Sequence, residues 1–274
     1  MAFIEILKAV FLGIVEGITE WLPISSTGHM ILVDEFLQLN ASDEFKEMFF
    51  VVIQLGAILA VISLFFKRLW PLSRGEKGIG IKKDVLSLWG KILAACVPVA
   101  VIGILLDDRI TELFFNYKTV AAALFVYGVL FIFVERGRGT ANAVISETSG
   151  ITYKTALFIG LFQVLALIPG TSRSGATIIG GILIGMSRTA AAEFSFFLAV
   201  PVMLGASFLK LLKFGLAFSA MELAMLISGF IAAFIVSMLA IRFLMSFVKK
   251  HDFKVFGWYR IILGAAVLAW FLIF

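Results

Sequence analysis

Charged residues are scarce in this chain of 274 residues, and their scarcity excludes an ordinary soluble domain. Only 15% of the residues are Asp, Glu, Lys or Arg, whereas 61% are hydrophobic; a soluble domain carries about 25% charge. The mean hydropathy is +1.07. Strand-like alternation of polar and apolar residues is absent as well. The long apolar runs therefore predict an integral membrane protein with several helical spans.

Cysteine is nearly absent, and the charge that is present is not strongly of one sign. The single cysteine, Cys96, excludes an internal disulfide. The formal net charge is +5, but cytoplasmic loops of membrane proteins are enriched in Lys and Arg whatever the protein binds. We therefore predict no nucleic-acid partner. The composition leaves the oligomeric state open, and a homodimer is one of the assemblies it allows.

The apolar segments follow the order short pair, three spans, short pair, three spans. Each short pair is interrupted by polar residues, so each is predicted to fold as a re-entrant helix hairpin. The predicted segments are 4–22 and 27–38; Phe49–Phe66, Val85–Leu106 and Thr119–Val134; Thr155–Leu167 and Ala176–Met186; Phe194–Leu212, Ala220–Ser246 and Trp258–Phe274. The predicted fold class is an all-α polytopic membrane protein.

A single offset along the sequence indicates that this unit is duplicated. A shift of 147 places aligns residues of the two short pairs and also two phenylalanines of the next span. The aligned pairs are Ala9 with Ala156, Phe11 with Phe158, Gly13 with Gly160, Glu16 with Gln163, Ser25 with Ser172, Gly28 with Gly175, and Phe49-Phe50 with Phe196-Phe197. We predict one membrane domain, 1–274, with repeats at about 1–135 and 150–274. Because each repeat holds three full spans, the two repeats should have inverted topology.

Basic residues are concentrated in three loops that this topology places on one side of the membrane. They are Lys67, Arg68, Arg74, Lys77, Lys82 and Lys83; Arg136, Arg138 and Lys154; and Lys249, Lys250 and Lys254. The opposite side has the acidic loop 34–47 and the mixed loop 107–118. The basic side is therefore predicted to be cytoplasmic. Both termini and the mouth of the first hairpin should then lie outside, and the second hairpin should enter from the cytoplasm.

The first break, residues 16–29, reads Glu-Gly-Ile-Thr-Glu-Trp-Leu-Pro-Ile-Ser-Ser-Thr-Gly-His and lies between apolar segments. Polar groups at membrane depth are costly and usually functional. Glu16 and Glu20 are four residues apart and share one helix face. Two carboxylates held together would either share a proton or bind a divalent cation such as Mg²⁺ or Ca²⁺.

Hydroxyl residues follow these carboxylates at the start of the next helix. Ser25, Ser26 and Thr27 are suitable N-caps, and the free N–H groups of a helix start suit phosphate. His29 lies three residues after Ser26. This spacing predicts a contact between the serine hydroxyl and the imidazole across one helical turn.

The second break, residues 169–177, reads Pro-Gly-Thr-Ser-Arg-Ser-Gly-Ala-Thr. Arg173 is a permanently charged, forked ligand for phosphate. Candidate substrate-binding hydroxyls surround it at Thr171, Ser172, Ser174 and Thr177. Gln54, in the middle of a predicted span, is either a helix–helix hydrogen-bonding residue or a lining residue of the site.

These side chains together are typical of phosphoryl-transfer chemistry, in which positioning and charge neutralisation provide most of the catalysis. Two other interpretations are open. The charged residues could form a buried ion-pair cluster that braces the two hairpins. Alternatively, inverted repeats with broken helices could form a transporter or lipid flippase.

The two motifs, at 16–29 and 169–177, resemble the signature motifs of the bacterial undecaprenyl pyrophosphate phosphatase family, also called the bacitracin-resistance family. The similarity extends to Gln-Leu-Gly at 54–56 and Glu-Phe-Ser-Phe-Phe-Leu-Ala-Val-Pro at 193–201. The resemblance implies a bacterial plasma-membrane phosphatase that depends on a divalent cation. It would remove the terminal phosphate of a C55 isoprenyl diphosphate and contribute to bacitracin tolerance. From the predicted topology, we expect the site to open to the outer leaflet.

The resemblance also implies roles for the motif residues. Glu16 and Glu20 would hold the metal or activate water. Ser26 and His29 would act as nucleophile and acid/base partner, and Arg173 with its flanking hydroxyls would hold the diphosphate. Whether Ser26 attacks covalently or only binds phosphate is left open.

Overall fold

The structure is a computed structural model, and it describes residues 2–75, 78–137, 143–214 and 218–273. Helices form most of the described chain. They are α1 Ala2–Thr19, α2 Ser26–Phe36, α3 Asp43–Leu64, α4 Phe66–Leu69, α5 Lys83–Phe114, α6 Tyr117–Gly137, α7 Tyr153–Val164, α8 Arg173–Leu183, α9 Arg188–Phe214, α10 Ala220–Phe247 and α11 Lys254–Ile273. A multi-pass helical membrane protein is therefore confirmed.

Six of the described helices are long and apolar enough to cross a membrane. They are Asp43–Leu64, the Lys83–Leu106 part of α5, Tyr117–Gly137, the Arg188–Phe208 part of α9, Ala220–Phe247 and Lys254–Ile273. Each corresponds to one of the six predicted spans. The short pairs α1/α2 and α7/α8 precede the first and fourth of these spans, as the sequence predicts.

The helix ends differ from the prediction where local capping extends a helix beyond its apolar core. Ser42 accepts a hydrogen bond from the N–H of Phe45, so α3 begins six residues before the predicted Phe49. The predicted loop 107–118 is wrong. Helix α5 continues to Phe114, and α6 begins at Tyr117 after Asn116 accepts from the N–H of Thr119. Polar residues without proline or glycine allow a helix to continue beyond the bilayer.

One short segment of this predominantly helical chain is not helical. Strands β1 Leu72–Gly75 and β2 Gly78–Ile81 form an antiparallel ribbon between α4 and α5, with Leu72 opposite Ile81 and Gly75 opposite Gly78. Two of the predicted basic residues, Lys77 and Arg138, lie outside the described residues.

The three predicted basic loops meet at one end of the bundle, which we call the basic end. Arg68, after α3, donates to Thr148 in the segment before α7. Glu135, at the end of α6, accepts from Arg188 at the start of α9 and from the N–H of Phe253 before α11. These contacts confirm that the loops lie on the same side.

The two hairpins open at opposite ends of the bundle. Glu5, near the start of α1, accepts from the N–H of Asn40 just after α2, and Asp43 begins α3 beside it. Helix α3 then runs 22 residues, or about 33 Å, to the basic end. At the basic end, the N–H of Ser187 after α8 donates to the carbonyl of Ile145 before α7. Residues 20–25 and 165–172 therefore meet inside the bundle.

Small residues permit the close helix crossings that bury these breaks. A side chain on Gly13 of α1 would collide with the carbonyl of Gly229 in α10, and one on Gly160 of α7 with the carbonyl of Ala95 in α5. Close approach at glycine and alanine is the usual way in which membrane helices associate. Outward-facing residues of the spans are apolar and exposed, as contact with lipid requires.

Candidate active site

In both breaks, the helix that follows starts with a serine N-cap of positive φ. Ser25 has φ 74° and accepts a hydrogen bond from the N–H of Gly28 at 3.3 Å. Ser172 has φ 71° and accepts from the N–H of Gly175 at 3.2 Å. Left-handed backbone is costly for a serine and is concentrated at functional sites. Each strained cap therefore fixes where a helix start, with its free N–H groups, points.

An ion pair joins the two breaks. Arg173, the first residue of α8, donates to Oε1 of Glu20 from Nε at 3.3 Å and from a terminal nitrogen at 3.0 Å. Its other terminal nitrogen donates to the carbonyl of Ser195 on α9 at 2.7 Å. The guanidinium also lies 5.7 Å from the ring centroid of Trp21. Glu20 of the first break and Arg173 of the second are therefore in direct contact.

Ser26 belongs to the same cluster. Its hydroxyl donates to Oε2 of Glu20 at 3.1 Å. One carboxylate oxygen of Glu20 therefore accepts from Ser26, and the other accepts from Arg173. Glu20 and Arg173 are largely buried, with side-chain exposures of 9% and 11%. The carboxylate thus holds a hydroxyl and a cation close together in surroundings that contain little water.

Glu16 is buried beside this cluster and keeps one carboxylate oxygen, Oε1, without a hydrogen-bond partner. Its charged and polar neighbours are Glu20, Gln54 and Arg173. Gln54, on α3, is half-buried at this position and hydrogen-bonds Glu16 of α1, so its role as a lining residue stays a prediction. A buried carboxylate oxygen without a partner requires an explanation.

The donor set fits a divalent cation that is shared with the substrate. Mg²⁺ in enzymes is commonly held by one or two carboxylates together with substrate phosphates and water. Glu16 and Glu20 supply such a pair. Among the residues that the structure describes, no group of three or more His, Cys, Asp or Glu side chains could form a metal cage from the protein alone.

His29 does not contact Ser26, so the predicted serine–imidazole contact is wrong. Its Nδ1 lies 2.7 Å from the carbonyl of Ser25, and its Nε2 lies 2.7 Å from the hydroxyl of Tyr259 on α11. Because a carbonyl only accepts, Nδ1 carries a proton; in the neutral ring, Nε2 then accepts from Tyr259. The rings of His29 and Tyr259 also stack, with centroids 5.6 Å apart. The imidazole of His29 therefore points toward α11 and not toward Ser26 and Glu20.

The predicted hydroxyls of the second break have different surroundings. Ser174 donates to the carbonyl of Glu20 at 3.2 Å and lies 3.1 Å from the Ser172 hydroxyl. Thr177 donates to Ser195 Oγ at 2.7 Å, so Ser174 and Thr177 tie α8 to its neighbours. Thr171 is fully buried, and its hydroxyl has no hydrogen-bond partner.

Thr27 is half-buried in the first turn of α2, the position that the sequence predicts for it. With Ser25 and Ser26 it completes the hydroxyl run at this helix start. The substrate-binding roles of all these hydroxyls stay predictions.

Arg260 of α11 links the two breaks, although it lies in neither of the two sequence motifs. This arginine is fully buried. It donates to the carbonyl of Pro23 at 3.3 Å and to those of Gly170 and Thr171 at 2.8 and 2.9 Å. The guanidinium also lies 5.6 Å from the ring centroid of Tyr127. A charged residue inside a predicted span is the signal that could have found it.

We expect Arg260→Gln to lower kcat at least tenfold, which corresponds to about 1.4 kcal/mol in the activation barrier. The substitution removes the guanidinium whose hydrogen bonds to carbonyls of both breaks hold the two breaks together. Arg260→Lys keeps a cation and should recover part of the rate. The measurement is kcat and KM on the isoprenyl diphosphate that the resemblance implies as substrate, with the unfolding temperature as control. Unchanged kcat in Arg260→Gln would contradict a role of Arg260 in holding the two breaks together, and a smaller loss in Arg260→Lys would show how much of that role needs only a cation.

Fold and site together define a polytopic membrane protein whose interior joins two helix starts, an arginine and a carboxylate pair. Such an arrangement can bind a phosphate-bearing headgroup of a lipid. The chain belongs to the family described as "Bacitracin resistance protein BacA", whose profile matches residues 9–266.

Curated relatives match over nearly the whole chain. An "Undecaprenyl-diphosphatase" of Lachnoclostridium phytofermentans is 60% identical over 273 residues, which cover 100% of this chain and 99% of that protein. Proteins with the same name from Acetivibrio thermocellus and Enterococcus faecalis are each 62% identical and cover 98% and 97% of both chains, respectively. The residues that the family profile matches, 9–266, span the whole of the site described above.

Proposed function

We propose that this chain is a membrane phosphatase that hydrolyses undecaprenyl diphosphate to undecaprenyl phosphate and inorganic phosphate. Its family and the name of its relatives support this reaction and the associated bacitracin resistance. The observation that carries the proposal is the cluster of Glu20, Arg173 and Ser26, with the unpaired oxygen of Glu16 beside it. A bacterial plasma membrane is the compartment in which such a lipid carrier is recycled.

Two inverted repeats build the proposed site. Support comes from the serines of positive φ, Ser25 and Ser172, which are 147 positions apart, as predicted. The hairpins also open at opposite ends. In addition, Gly128 of α6 and Gly257 of α11 face each other reciprocally, each at 2.7 Å from the other's carbonyl if given a side chain. The basic end is cytoplasmic by its excess of Lys and Arg, so the first hairpin and the site open toward the outer leaflet.

Arg173 and the two helix starts bind the diphosphate in this proposal. The guanidinium is already oriented by Glu20 and Ser195, so little rearrangement is needed when phosphate oxygens arrive. N–H groups at the start of α2 and of α8 face the same region and favour negative charge. Burial of the cluster strengthens each of these interactions relative to water.

Ser26 is the proposed nucleophile, and Glu20 accepts its proton. Oγ of Ser26 attacks the terminal phosphorus, the bond from this phosphorus to the bridging oxygen breaks, and the lipid monophosphate leaves. Water then cleaves the phosphoserine, which releases inorganic phosphate and regenerates the hydroxyl. The hydrogen bond of 3.1 Å from Ser26 to Glu20 supports this assignment over the predicted pairing with His29. His29 instead orients the start of α2 through Ser25 and Tyr259.

A divalent cation, Mg²⁺ or Ca²⁺, is proposed between Glu16, Glu20 and the diphosphate. When bound, it would neutralise charge on the phosphate oxygens. Glu16 would be the main protein ligand of this cation, because Glu20 already interacts with Arg173 and Ser26.

The purified protein in detergent should release inorganic phosphate from a prenyl diphosphate, and Ser26→Ala should abolish this release. Detergent micelles contain no gradient, so release there separates an enzyme from a transporter. Absence of phosphate release by a folded protein supplied with Mg²⁺ or Ca²⁺ would refute the proposed reaction. Movement of prenyl phosphate between leaflets by Ser26→Ala would favour the transporter.

A further inference from the structure

A cavity distinct from the site above lies at the basic end. It has a volume of about 510 Å³ and is formed where α4, the start of α5 and the segment before α7 meet. Basic and hydroxyl side chains line it: Lys67, Arg68, Lys82, Lys91, Ser87 and Ser149. The proposed phosphatase site uses none of these residues. We propose that this cavity, the basic pocket, binds a phosphate group carried by an anionic phospholipid.

Charge is the first argument for this ligand. Arg68 is paired with Glu193 at 2.5 Å, which leaves three lysines facing a single carboxylate of the wall, Asp84. An excess of cations around a cavity at one end of a membrane bundle suits an anionic headgroup. Hydroxyls at Ser87 and Ser149 add hydrogen-bond donors for phosphate oxygens.

Lys91 is the second argument, because it belongs to the membrane-spanning part of α5. It lies eight residues after the start of that helix, which is about 12 Å along the axis. It is half-buried. Within the described residues, Lys91 has neither an ion pair nor a hydrogen bond. An ionisable side chain in a span is functional by default, and the open cavity offers a counter-ion a place beside it.

The wall of the basic pocket is already ordered. Arg68 donates to Glu193 and, at 3.0 Å, to Thr148, and yet 47% of its side chain remains exposed. The indole of Trp89 donates to the carbonyl of Leu69 at 2.8 Å and so ties α5 to α4. An ordered wall reduces the entropy that is lost when a ligand binds.

Exposed aromatic residues place the basic pocket at the depth of lipid headgroups. Trp70 and Phe66 stack with ring centroids 5.2 Å apart, and both are about half exposed. Tryptophan is enriched where headgroups meet the hydrocarbon core. A phospholipid of the leaflet at the basic end can therefore insert its phosphate among the lysines while its acyl chains stay in the bilayer.

The test is a titration of the full chain in zwitterionic detergent with phosphatidylglycerol, phosphatidylcholine or inorganic phosphate, read as the rise in unfolding temperature. Phosphatidylglycerol should raise this temperature with saturation, and phosphatidylcholine should not. Lys91→Gln should weaken the apparent affinity about fivefold, the equivalent of about 1 kcal/mol. Lys67→Gln, an exposed and structurally mild change, should do the same.

Lys250→Gln is the matched control, because Lys250 is exposed at the same end and outside the basic pocket. If Lys250→Gln and Lys91→Gln weakened the apparent affinity for phosphatidylglycerol equally, the binding would depend on general surface charge, and the proposal would be overturned. A response to inorganic phosphate alone, lost in Lys91→Gln, would keep the phosphate site but assign it to a soluble ligand. Loss of phosphatase activity by folded Lys91→Gln in lipid-free micelles would also overturn a separate site.

Discussion

Replacing Arg173 by lysine is expected to lower the rate of phosphate release by about 10²–10³-fold while the protein still folds. Lysine keeps the positive charge, but it cannot bond Glu20 through two nitrogens and the Ser195 carbonyl through a third. The cation would therefore no longer be held where the phosphate oxygens arrive. Initial rates on a prenyl diphosphate, with Arg173→Lys and wild type at equal folded concentration, provide the measurement.

Arg188→Lys is the matched control for this prediction. Arg188 also donates hydrogen bonds to a buried carboxylate, at 2.9 Å and 2.5 Å to Glu135. It lies at the basic end, away from the two breaks. If loss of a buried arginine–carboxylate pair were harmful in itself, both variants would lose activity together. Activity within a fewfold of wild type in Arg173→Lys would contradict the proposed role of this guanidinium.

The sequence predicts the two halves of the site because each half is a polar interruption of an apolar segment. Burial of Glu16 and Glu20 at membrane depth, and the pairing of Glu20 with Arg173, follow from one consideration. An isolated charge in a membrane interior requires an opposite charge or a ligand. The same reasoning, applied to α11, would have found Arg260.

Contacts that depend on side-chain direction could not be predicted from spacing. His29 and Ser26 are separated by one helical turn, yet the strained cap at Ser25 brings its carbonyl to Nδ1, and Tyr259 takes Nε2. Tyr259 is more than 200 residues away in sequence. The contact of Arg173 with the Ser195 carbonyl could not be predicted from the sequence either, because every residue has a backbone carbonyl.

Helix ends were the other feature that apolar runs could not define. Hydropathy marks the part of a helix that lies in lipid, whereas caps and turn residues decide where the helix stops. Helix α5 therefore extends to Phe114, beyond the predicted Leu106. The ribbon of β1 and β2 forms in the basic loop 67–84. The charges of this loop predicted only its side of the membrane and not a pair of strands.

Glu16→Gln is expected to reduce phosphate release at least about a hundredfold at a fixed Mg²⁺ concentration, since a metal ion contributes several kcal/mol of charge stabilisation. The substitution keeps the size of the side chain and removes its charge. Because one oxygen of Glu16 has no hydrogen-bond partner, the change should disturb the fold little. The Mg²⁺ concentration that gives half-maximal rate should rise, and a chelator should remove the remaining activity.

Glu5→Gln, on the same helix, distinguishes this effect from any loss of a carboxylate in α1. Glu5 pairs with Lys8 at 2.9 Å near the mouth of the first hairpin, far from the second break, so its replacement should leave the metal dependence unchanged. If Glu16→Gln kept both its rate and its half-maximal Mg²⁺ concentration, Glu16 would not be a metal ligand. Loss of rate with unchanged metal dependence would instead assign Glu16 to the proton transfer that its position beside Glu20 also permits.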